Sequence, residues 1–311
     1  MEKFEIHILG CGSALPTTRH FPTSQVLNVR DKLYMIDCGE GAQLQFRKSH
    51  LKFSRLNHIF ISHLHGDHCF GLLGLFSTLN LLGRTAGLHV YSPKGLEQLL
   101  QPMLDFFCHD MMYAVIFHEF DTQESTLIFE DRSLTVTTLP LRHRMPCCGF
   151  LFAEKPLPNH IIRESVDFYQ VPVYELNRIK HGEDYVTPQG EVIPNARLTK
   201  PAAPPRRYAY CSDTLYQPRL ASVLQGVDLL FHEATFADSE AARAKETCHT
   251  TARQAAQLAK DAGVKKLLIG HYSARYEDEG ILWQEASSVF PNTILAKENL
   301  CVVLDDGTCI G

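Results

Sequence analysis

The stretch Ser62-His63-Leu64-His65-Gly66-Asp67-His68 places three histidines and a carboxylate within six residues. The apolar run before it, residues 56–61, is typical of a buried strand, and residues 69–76 predict the start of a buried helix. A tight turn between a strand and a helix can direct four polar side chains toward one point. Burying several titratable groups is costly without a partner, and zinc or a similar cation binds both imidazole and carboxylate. The stretch therefore predicts a metal site.

Length and composition are those of a globular protein. The chain has 311 residues, a hydrophobic fraction of 45% and a formal net charge of −5, which excludes a chain that is basic throughout. Ten cysteines without C-x-x-C spacing predict reduced thiols and no cysteine-based zinc knuckle. The sequence contains neither a signal-peptide pattern nor an apolar run long enough to span a membrane. We therefore expect a soluble cytoplasmic protein that does not bind a membrane.

The order of apolar patterns predicts an α/β fold. In each half, strands come first and then alternate with helices, which favours two packed sheets with helices outside. One of the predicted strands covers residues 125–139. Residues 154–205 depart from this pattern, because they combine prolines, mixed charge and short apolar runs, and they predict a protruding, partly structured arm. Apolar residues that could form a small cluster in the arm are Phe168, Tyr169, Val171, Val173, Tyr174, Leu176 and Ile179.

Further polar residues follow apolar strands elsewhere in the chain, a position that commonly presents functional groups in α/β proteins. They are Asp37, His143, Asp213 and His271. Combined with the 62–68 stretch, they suggest two ligand sets. One set is His63, His65 and His143; the other is Asp67, His68 and His271; Asp213 could bridge them. Two-metal hydrolytic sites hold cations about 3.5–4 Å apart with ligands of this kind.

These motifs resemble those of the metallo-β-lactamase superfamily. Residues 63–68 match its H-x-H-x-D-H signature, and Asp37 with Gly39, then His143, Asp213 and His271, match its other motifs in order. The resemblance covers residues 1–311 and implies a single domain with the αββα sandwich fold. The signature alone does not distinguish lactamases, thioesterases, phosphodiesterases and nucleases.

More specific motifs resemble the ribonuclease Z family, the tRNA 3′-processing endonucleases. The matching segments are residues 37–43 (Asp-Cys-Gly-Glu-Gly-Ala-Gln), 232–235 (His-Glu-Ala-Thr), 248–251 (Cys-His-Thr-Thr) and 270–276 (Gly-His-Tyr-Ser-Ala-Arg-Tyr). The inserted arm, residues 154–205, matches in position the flexible tRNA-binding arm, or exosite, of the short form of that family.

The resemblance implies two Zn²⁺ per subunit, with Mn²⁺ as the alternative ion, bound by the seven ligands named above. Asp67 would orient the attacking nucleophile as a proton acceptor, and Glu233 with His249 would deliver a proton to the leaving 3′-oxygen. A histidine paired with a glutamate can supply such a proton near neutral pH. Substrate contacts are expected from Ser273, Arg275, Arg178 and Lys180.

The implied activity is that of a hydrolase, an endoribonuclease that removes the 3′ trailer of precursor tRNA. It would leave a tRNA 3′-hydroxyl and a 5′-phosphorylated trailer, work as a homodimer and act on no DNA. One alternative is a small-molecule phosphodiesterase on the same dinuclear scaffold, against which the arm and the His-Glu-Ala-Thr motif argue. The other is a non-catalytic metal-binding or RNA-binding subunit, against which the complete ligand set argues.

Two segments depart from the family pattern. Residues 170–174 (Gln-Val-Pro-Val-Tyr) lack the glycine of the arm's usual Gly-Pro pair, which bears on the affinity of the arm for tRNA. Residues 16–20 (Pro-Thr-Thr-Arg-His) match the family's P-x-K-x-R-N loop only in part, which bears on how CCA-containing 3′ ends are distinguished.

Overall fold

A computed structural model describes residues 2–304 and 309–310. Its strands are Phe4–Gly10 (β1), Ser24–Val29 (β2), Lys32–Cys38 (β3), Leu56–Phe60 (β4), Leu88–Pro93 (β5), Val115–Phe120 (β6), Leu127–Glu130 (β7), Leu134–Pro140 (β8), Cys148–Glu154 (β9), His160–Ile161 (β10), Tyr185–Val186 (β11), Val192–Ile193 (β12), Thr199–Lys200 (β13), Arg207–Cys211 (β14), Leu229–Glu233 (β15), Lys266–Gly270 (β16), Thr293–Leu295 (β17), Cys301–Val303 (β18) and Cys309–Ile310 (β19). Its α-helices are Ala42–Lys48 (α1), Gly66–Cys69 (α2), Leu72–Leu81 (α3), Leu96–Phe107 (α4), Arg163–Phe168 (α5), Leu176–Lys180 (α6), Asn195–Leu198 (α7), Leu220–Val223 (α8), Ala241–Thr247 (α9), Ala252–Asp261 (α10) and Gly280–Val289 (α11). None of these described helices is long and apolar enough to cross a bilayer.

Two mixed sheets build the larger of two compact units, Met1–Ala153 with Arg206–Gly311. One sheet has the strand order β19-β18-β1-β2-β3-β4-β5-β6, and the other has the order β17-β16-β15-β14-β9-β8-β7. Strands β3 to β6 run parallel, as do β14 to β17. The carboxyl ends of each parallel set therefore lie at one edge of its sheet, where α/β proteins bind ligands.

The alternation of side chains along the strands sets the layers of this unit. In β3, Tyr34 and Ile36 join the core cluster that contains residues of both sheets, such as Phe150 and Tyr210. The intervening Met35 joins a second cluster with residues of α1, α3 and α4. Each face of the first sheet is thus buried, one against the other sheet and one against helices, as the sequence predicts.

One sequence prediction about secondary structure is wrong, and one helix was not predicted. The single strand predicted over residues 125–139 is a hairpin of β7 and β8, and the Asp131 carboxylate at its turn accepts hydrogen bonds from the backbone N–H groups of Ser133 (2.6 Å) and Leu134 (2.9 Å). This polar turn interrupts the apolar pattern, which is why a turn forms there. Helix α9 was not predicted, because its sequence, Ala-Ala-Arg-Ala-Lys-Glu-Thr, has no apolar face of helical period.

The second compact unit, Glu154–Pro205, has a small apolar core of its own. Its strands pair as β10 with β13 and β11 with β12. The buried members are Val166, Val171, Ile179, Tyr185, Ile193 and Leu198. The cluster predicted here is only partly right, since Phe168, Val173 and Tyr174 are exposed. Along the chain, β9 precedes this segment and β14 follows it. These two strands pair antiparallel in the first unit, with Ala153 opposite Arg207.

Candidate dinuclear metal centre

Three histidines from two strand ends form the first donor group. His63 and His65 follow β4, and His143 follows β8. The Nδ1 atom of His65 lies 3.0 Å from Nε2 of His63 and 3.3 Å from Nε2 of His143. Burial lowers the pKa of each of these imidazoles, which favours the neutral ring whose nitrogen lone pair can bind a cation.

The second donor group combines the short helix α2 with the end of β16. Asp67 and His68 lie in α2, and His271 follows β16. The Oδ2 atom of Asp67 lies 3.3 Å from Nε2 of His68 and 3.3 Å from Nε2 of His271. These atoms are close enough to surround one ion.

Asp213, which follows β14, belongs to both groups. Its Oδ2 atom lies 3.6 Å from Nε2 of His63, and its Oδ1 atom lies 3.2 Å from Nε2 of His271. Although burial raises the pKa of Asp213, the imidazoles of His271 and His68 hold it well below its usual range. An ionised carboxylate that offers one oxygen to each group has the form of a bridging ligand.

The donor atoms fit a pair of divalent cations. Nε2 of His68 and Oδ1 of Asp213 are buried and have no hydrogen-bond partner among the described residues. Burying polar atoms without a partner costs free energy. Here the neighbouring atoms are imidazole nitrogens and carboxylate oxygens, which can bind a metal ion together with them. A set of imidazoles and carboxylates without sulfur suits zinc or manganese.

Asp37, at the end of β3, orients the second donor group. Its carboxylate accepts hydrogen bonds from the Ser62 N–H (2.7 Å) and the Tyr210 hydroxyl (2.7 Å) and lies 2.8 Å from Nδ1 of His68. A carboxylate on the far ring nitrogen fixes the orientation of a metal-binding histidine. The sequence indicated Asp37 as a motif residue, but its contact with His68 emerged only from the structure.

An ion pair between the buried Glu233 and the partly buried His249 lies beside the donor groups. Oε1 of Glu233 is 3.1 Å from Nδ1 of His249 and accepts a hydrogen bond from the Thr250 N–H at 2.8 Å. Although burial lowers the pKa of His249, the charge of Glu233 raises it overall to about 9. The Cys248 carbonyl, at the end of α9, lies 3.0 Å from Nδ1 of His143, which links this pair to the first donor group.

Thr235 has a role that the sequence did not reveal. Its hydroxyl donates to Oε2 of Glu233 at 2.7 Å and lies 2.8 Å from Nδ1 of His271. It therefore positions both the ion pair and a candidate ligand. The sequence feature that could have indicated this role is the position of Thr235 as the fourth residue of the His-Glu-Ala-Thr motif.

A cavity of about 610 Å³ opens onto these groups, and its lining includes Ser273 and Arg275. Nη1 of Arg275 forms an ion pair with Oε2 of Glu240 at 2.6 Å, which orients the Arg275 side chain at the edge of the cavity. The lining residues that sequence reasoning missed include Phe70, Arg144 and Arg243. The other two predicted substrate contacts, Arg178 and Lys180, lie on α6 of the second unit, where Arg178 pairs with Glu175 and Glu183.

Known proteins share both the sequence and the fold. A ribonuclease Z of Bacteroides fragilis is 76% identical over 98% of this chain and 100% of its own length. The crystal structure of human tRNase Z, short form, is 26% identical, covers 97% of this chain and 99% of its own, and superposes with a TM-score of 0.71. The metallo-β-lactamase fold protein YhfI from Bacillus subtilis is 17% identical over 97% of this chain and 99% of its own, with a TM-score of 0.67.

The model of one further family, described as anti-Pycsar protein Apyc1, matches residues 4–157, slightly less than half of the chain. The predicted metallo-β-lactamase fold is confirmed by the sheets and by these structures. Identity with curated relatives over nearly the whole length decides the family. The chain belongs to the ribonuclease Z family.

Proposed function

We propose that this chain is a zinc-dependent endoribonuclease of the cytoplasm that removes the 3′ trailer from precursor tRNA. The products are a tRNA with a 3′-hydroxyl and a trailer with a 5′-phosphate. The observation that carries the proposal is the Glu233–His249 pair next to two donor groups joined by Asp213. A hydrolytic centre for phosphodiesters needs charge stabilisation on one side and a proton source on the other, and this cavity contains residues for both.

Two zinc ions would be held by the seven ligands, one by each donor group with Asp213 shared. Bound there, they would activate a water molecule and neutralise charge on the phosphate. The carboxylate of Asp67 contacts both histidines of its group and lines the cavity, which suits a proton acceptor that orients the nucleophile.

His249 would donate a proton to the leaving 3′-oxygen. Its ring borders the cavity, while Nδ1 is directed at Glu233, so Nε2 is the nitrogen left for the substrate. Glu233 itself is buried and accepts backbone hydrogen bonds from Thr214 and Thr250, so it acts as a positioning residue for His249. Ser273 and Arg275 would bind phosphate at the cavity wall.

The second unit would be the tRNA-binding arm of a single metallo-β-lactamase-fold domain. It is inserted between β9 and β14, and α6 carries two of its basic residues, Arg178 and Lys180. Because Arg178 is engaged by Glu175 and Glu183, we expect Lys180 to contribute more to phosphate binding. In the homodimer that we propose, the arm of one subunit serves the active site of the other.

Mapping of cleavage products tests the activity. Zinc-loaded protein incubated with precursor tRNA that carries a trailer should yield a 3′-hydroxyl on the tRNA and a 5′-phosphate on the trailer. Intact precursor, or a tRNA ending in a cyclic phosphate, would contradict the proposal. Faster turnover of cyclic nucleotides than of precursor tRNA would instead favour a small-molecule phosphodiesterase. Precursors with and without an encoded CCA would show how 3′ ends are distinguished.

A further inference from the structure

A second kind of donor cluster lies outside the dinuclear centre. Cys11 follows β1, His20 lies in the loop before β2, and Glu298 lies between β17 and β18. Nδ1 of His20 is 3.3 Å from the Cys11 sulfur and 3.0 Å from Oε2 of Glu298, and the sulfur is 3.7 Å from Oε1 of Glu298. A thiol, an imidazole and a carboxylate from three separate segments thus meet, with one ligand atom of each within 4.8 Å of the others.

These separations resemble the edges of a tetrahedral zinc site. Zinc bonds of about 2.0–2.3 Å separate tetrahedral ligand atoms by roughly 3.3–3.6 Å. The two separations from Nδ1 of His20, 3.3 Å to the sulfur and 3.0 Å to Oε2 of Glu298, lie within about 0.3 Å of that range, and the sulfur lies 3.7 Å from the other carboxylate oxygen, Oε1. Small side-chain rotations would therefore suffice to accommodate an ion.

The surroundings also resemble those of metal ligands. Nε2 of His20, the nitrogen on the far side of the ring, lies 3.1 Å from Oε1 of Glu279. Oε1 of Glu298 accepts a hydrogen bond from the Phe21 N–H at 2.9 Å. Metal-binding histidines donate their second N–H to a carboxylate or carbonyl, and metal-binding carboxylates are themselves hydrogen-bonded. Glu279 therefore orients His20 with Nδ1 toward Cys11 and Glu298.

An ion pair is the competing interpretation, with a protonated His20 between Glu298 and Glu279. It accounts for the nitrogen and the oxygens, but it does not explain why the sulfur of Cys11 lies 3.3 Å from the same nitrogen, Nδ1 of His20. Cys11 is fully buried, and as a thiol it can donate a hydrogen bond to the Ala296 carbonyl (3.5 Å) or to Oε1 of Glu298 (3.7 Å). A thiolate ligand explains why a sulfur is directed at this histidine.

We propose that Cys11, His20 and Glu298 bind one divalent cation of the zinc class, separate from the dinuclear centre. Binding replaces the thiol proton of Cys11, which leaves to solvent, so that one thiolate and one carboxylate balance the two positive charges. The Ala296 carbonyl oxygen or a water molecule fills the fourth position.

This cation would shape the rim of the cavity. The segment between Cys11 and His20 contributes Ser13, Leu15 and Pro16 to the lining of the candidate active site. Its ends are joined by a hydrogen bond from the Gly12 N–H to the Phe21 carbonyl, at 2.9 Å. A cation bound by both flanking residues and by Glu298 fixes this segment to the strands beneath it, so its role is structural.

Cobalt substitution tests the site, because a thiolate ligand gives cobalt a near-ultraviolet charge-transfer band that imidazole and carboxylate do not. The dinuclear ligands contain no sulfur, so the band reports only the new site. We expect full-length protein, stripped of metal and reloaded with Co²⁺, to show this band. Cys11→Ser should abolish it and lower the bound metal by one ion per chain, while the visible bands of the dinuclear centre persist. His20→Gln should weaken or abolish it with Cys11 intact.

Cys69→Ser is the matched control. The Cys69 sulfur lies 3.3 Å from the carbonyl oxygen of His65, next to the dinuclear centre, so this variant should keep the band if Cys11 is the ligand. Wild-type protein without the band would overturn the proposal and leave an ion pair at this position, and so would a band that survives Cys11→Ser. The readout is spectroscopic, so it does not depend on cleavage of tRNA.

Discussion

At the scale of single residues, Asp213 is the residue that lies next to both donor groups. Its two oxygens face different histidines, His63 and His271, and each belongs to a different group. Asp37 is linked to one group only. Among the hydrogen bonds of the described residues, its carboxylate contacts a single candidate ligand, His68. Loss of Asp213 should therefore weaken the binding of both ions, and loss of one histidine should weaken mainly the binding of one ion.

Replacement of Asp213 by alanine should therefore empty both positions of the dinuclear centre. Replacement of His65 should weaken mainly the position formed by His63 and His143, because His65 makes no ligand contact with the second group. Metal analysis after gel filtration measures this difference. Equal loss in both variants would argue against separate groups joined by a shared carboxylate.

Replacement of His249 by asparagine should lower kcat on precursor tRNA about 100-fold or more, which is typical for loss of a general acid. Metal content should stay unchanged, because His249 is not among the seven proposed ligands. Glu233→Gln should have the same kind of effect through the orientation of His249. A variant that cleaves bound precursor tRNA at the wild-type rate in single-turnover experiments would show that His249 is not the general acid.

At the scale of elements, the ends of strands and helices adopt unusual backbone conformations where functional groups are presented. Asp37 after β3 has φ 53°, His271 after β16 has φ 62° and Cys248 at the end of α9 has φ 60°. Non-glycine residues in this left-handed region cost about 1–3 kcal/mol and concentrate at functional sites. The abrupt change of direction turns each side chain or carbonyl toward the centre.

Strand β4 contains a histidine, His58, from which we predict an effect of pH on stability. Burial lowers the pKa of His58 to about 4, assisted by His89 and His118 and by Lys32, while Asp131 opposes the shift. The unfolded chain therefore takes up this proton more readily, so stability falls as the pH drops from about 6.5 toward about 4. His58→Phe, which preserves the aromatic stack with Tyr34, should reduce this loss by about 2 kcal/mol.

Urea unfolding at several pH values, with a chelator present so that metal release does not contribute, measures the effect of His58. Wild type and variant should differ in the slope of stability against pH below about 6.5 and run parallel above it. Parallel curves throughout would show that His58 is not the group responsible.

At the scale of the whole molecule, two units with separate cores share one chain. Deleting residues 160–195 removes most of the second core but no residue of the first. We expect the deletion to weaken cleavage of precursor tRNA strongly, while hydrolysis of bis(p-nitrophenyl) phosphate is retained. Equal loss of both activities would contradict the role of the segment as a tRNA-binding arm.

Mixing two inactive variants tests the proposed dimer. Arm-deleted subunits combined with His249→Asn subunits should regain activity, because the mixed dimer contains one intact active site served by the partner's arm. Refolding the mixture allows subunits to exchange. A mixture no more active than its components would exclude service of the active site by the arm of the other subunit.

The fold and the candidate ligands could be anticipated because their signals are local. The H-x-H-x-D-H run occupies one turn, and the other ligands each follow a recognisable apolar strand. The hairpin at Asp131 was not predicted, although residues 130–133 are polar, because the apolar residues on both sides continue the pattern of a strand. The roles of Thr235 and Asp37 and the meeting of Cys11 with Glu298 depend on contacts between distant segments, which no local pattern encodes.

The pairing of Ala153 with Arg207 has a consequence for the history of the molecule. The chain leaves and re-enters the seven-stranded sheet at paired positions on the neighbouring strands β9 and β14, so a segment of any length can be accommodated there without breaking the ladder. A single insertion in the gene of an ancestral hydrolase would thus be enough to add a separate compact unit. By the same logic, this junction is the natural place to exchange the proposed tRNA-binding arm for a unit that recognises another RNA.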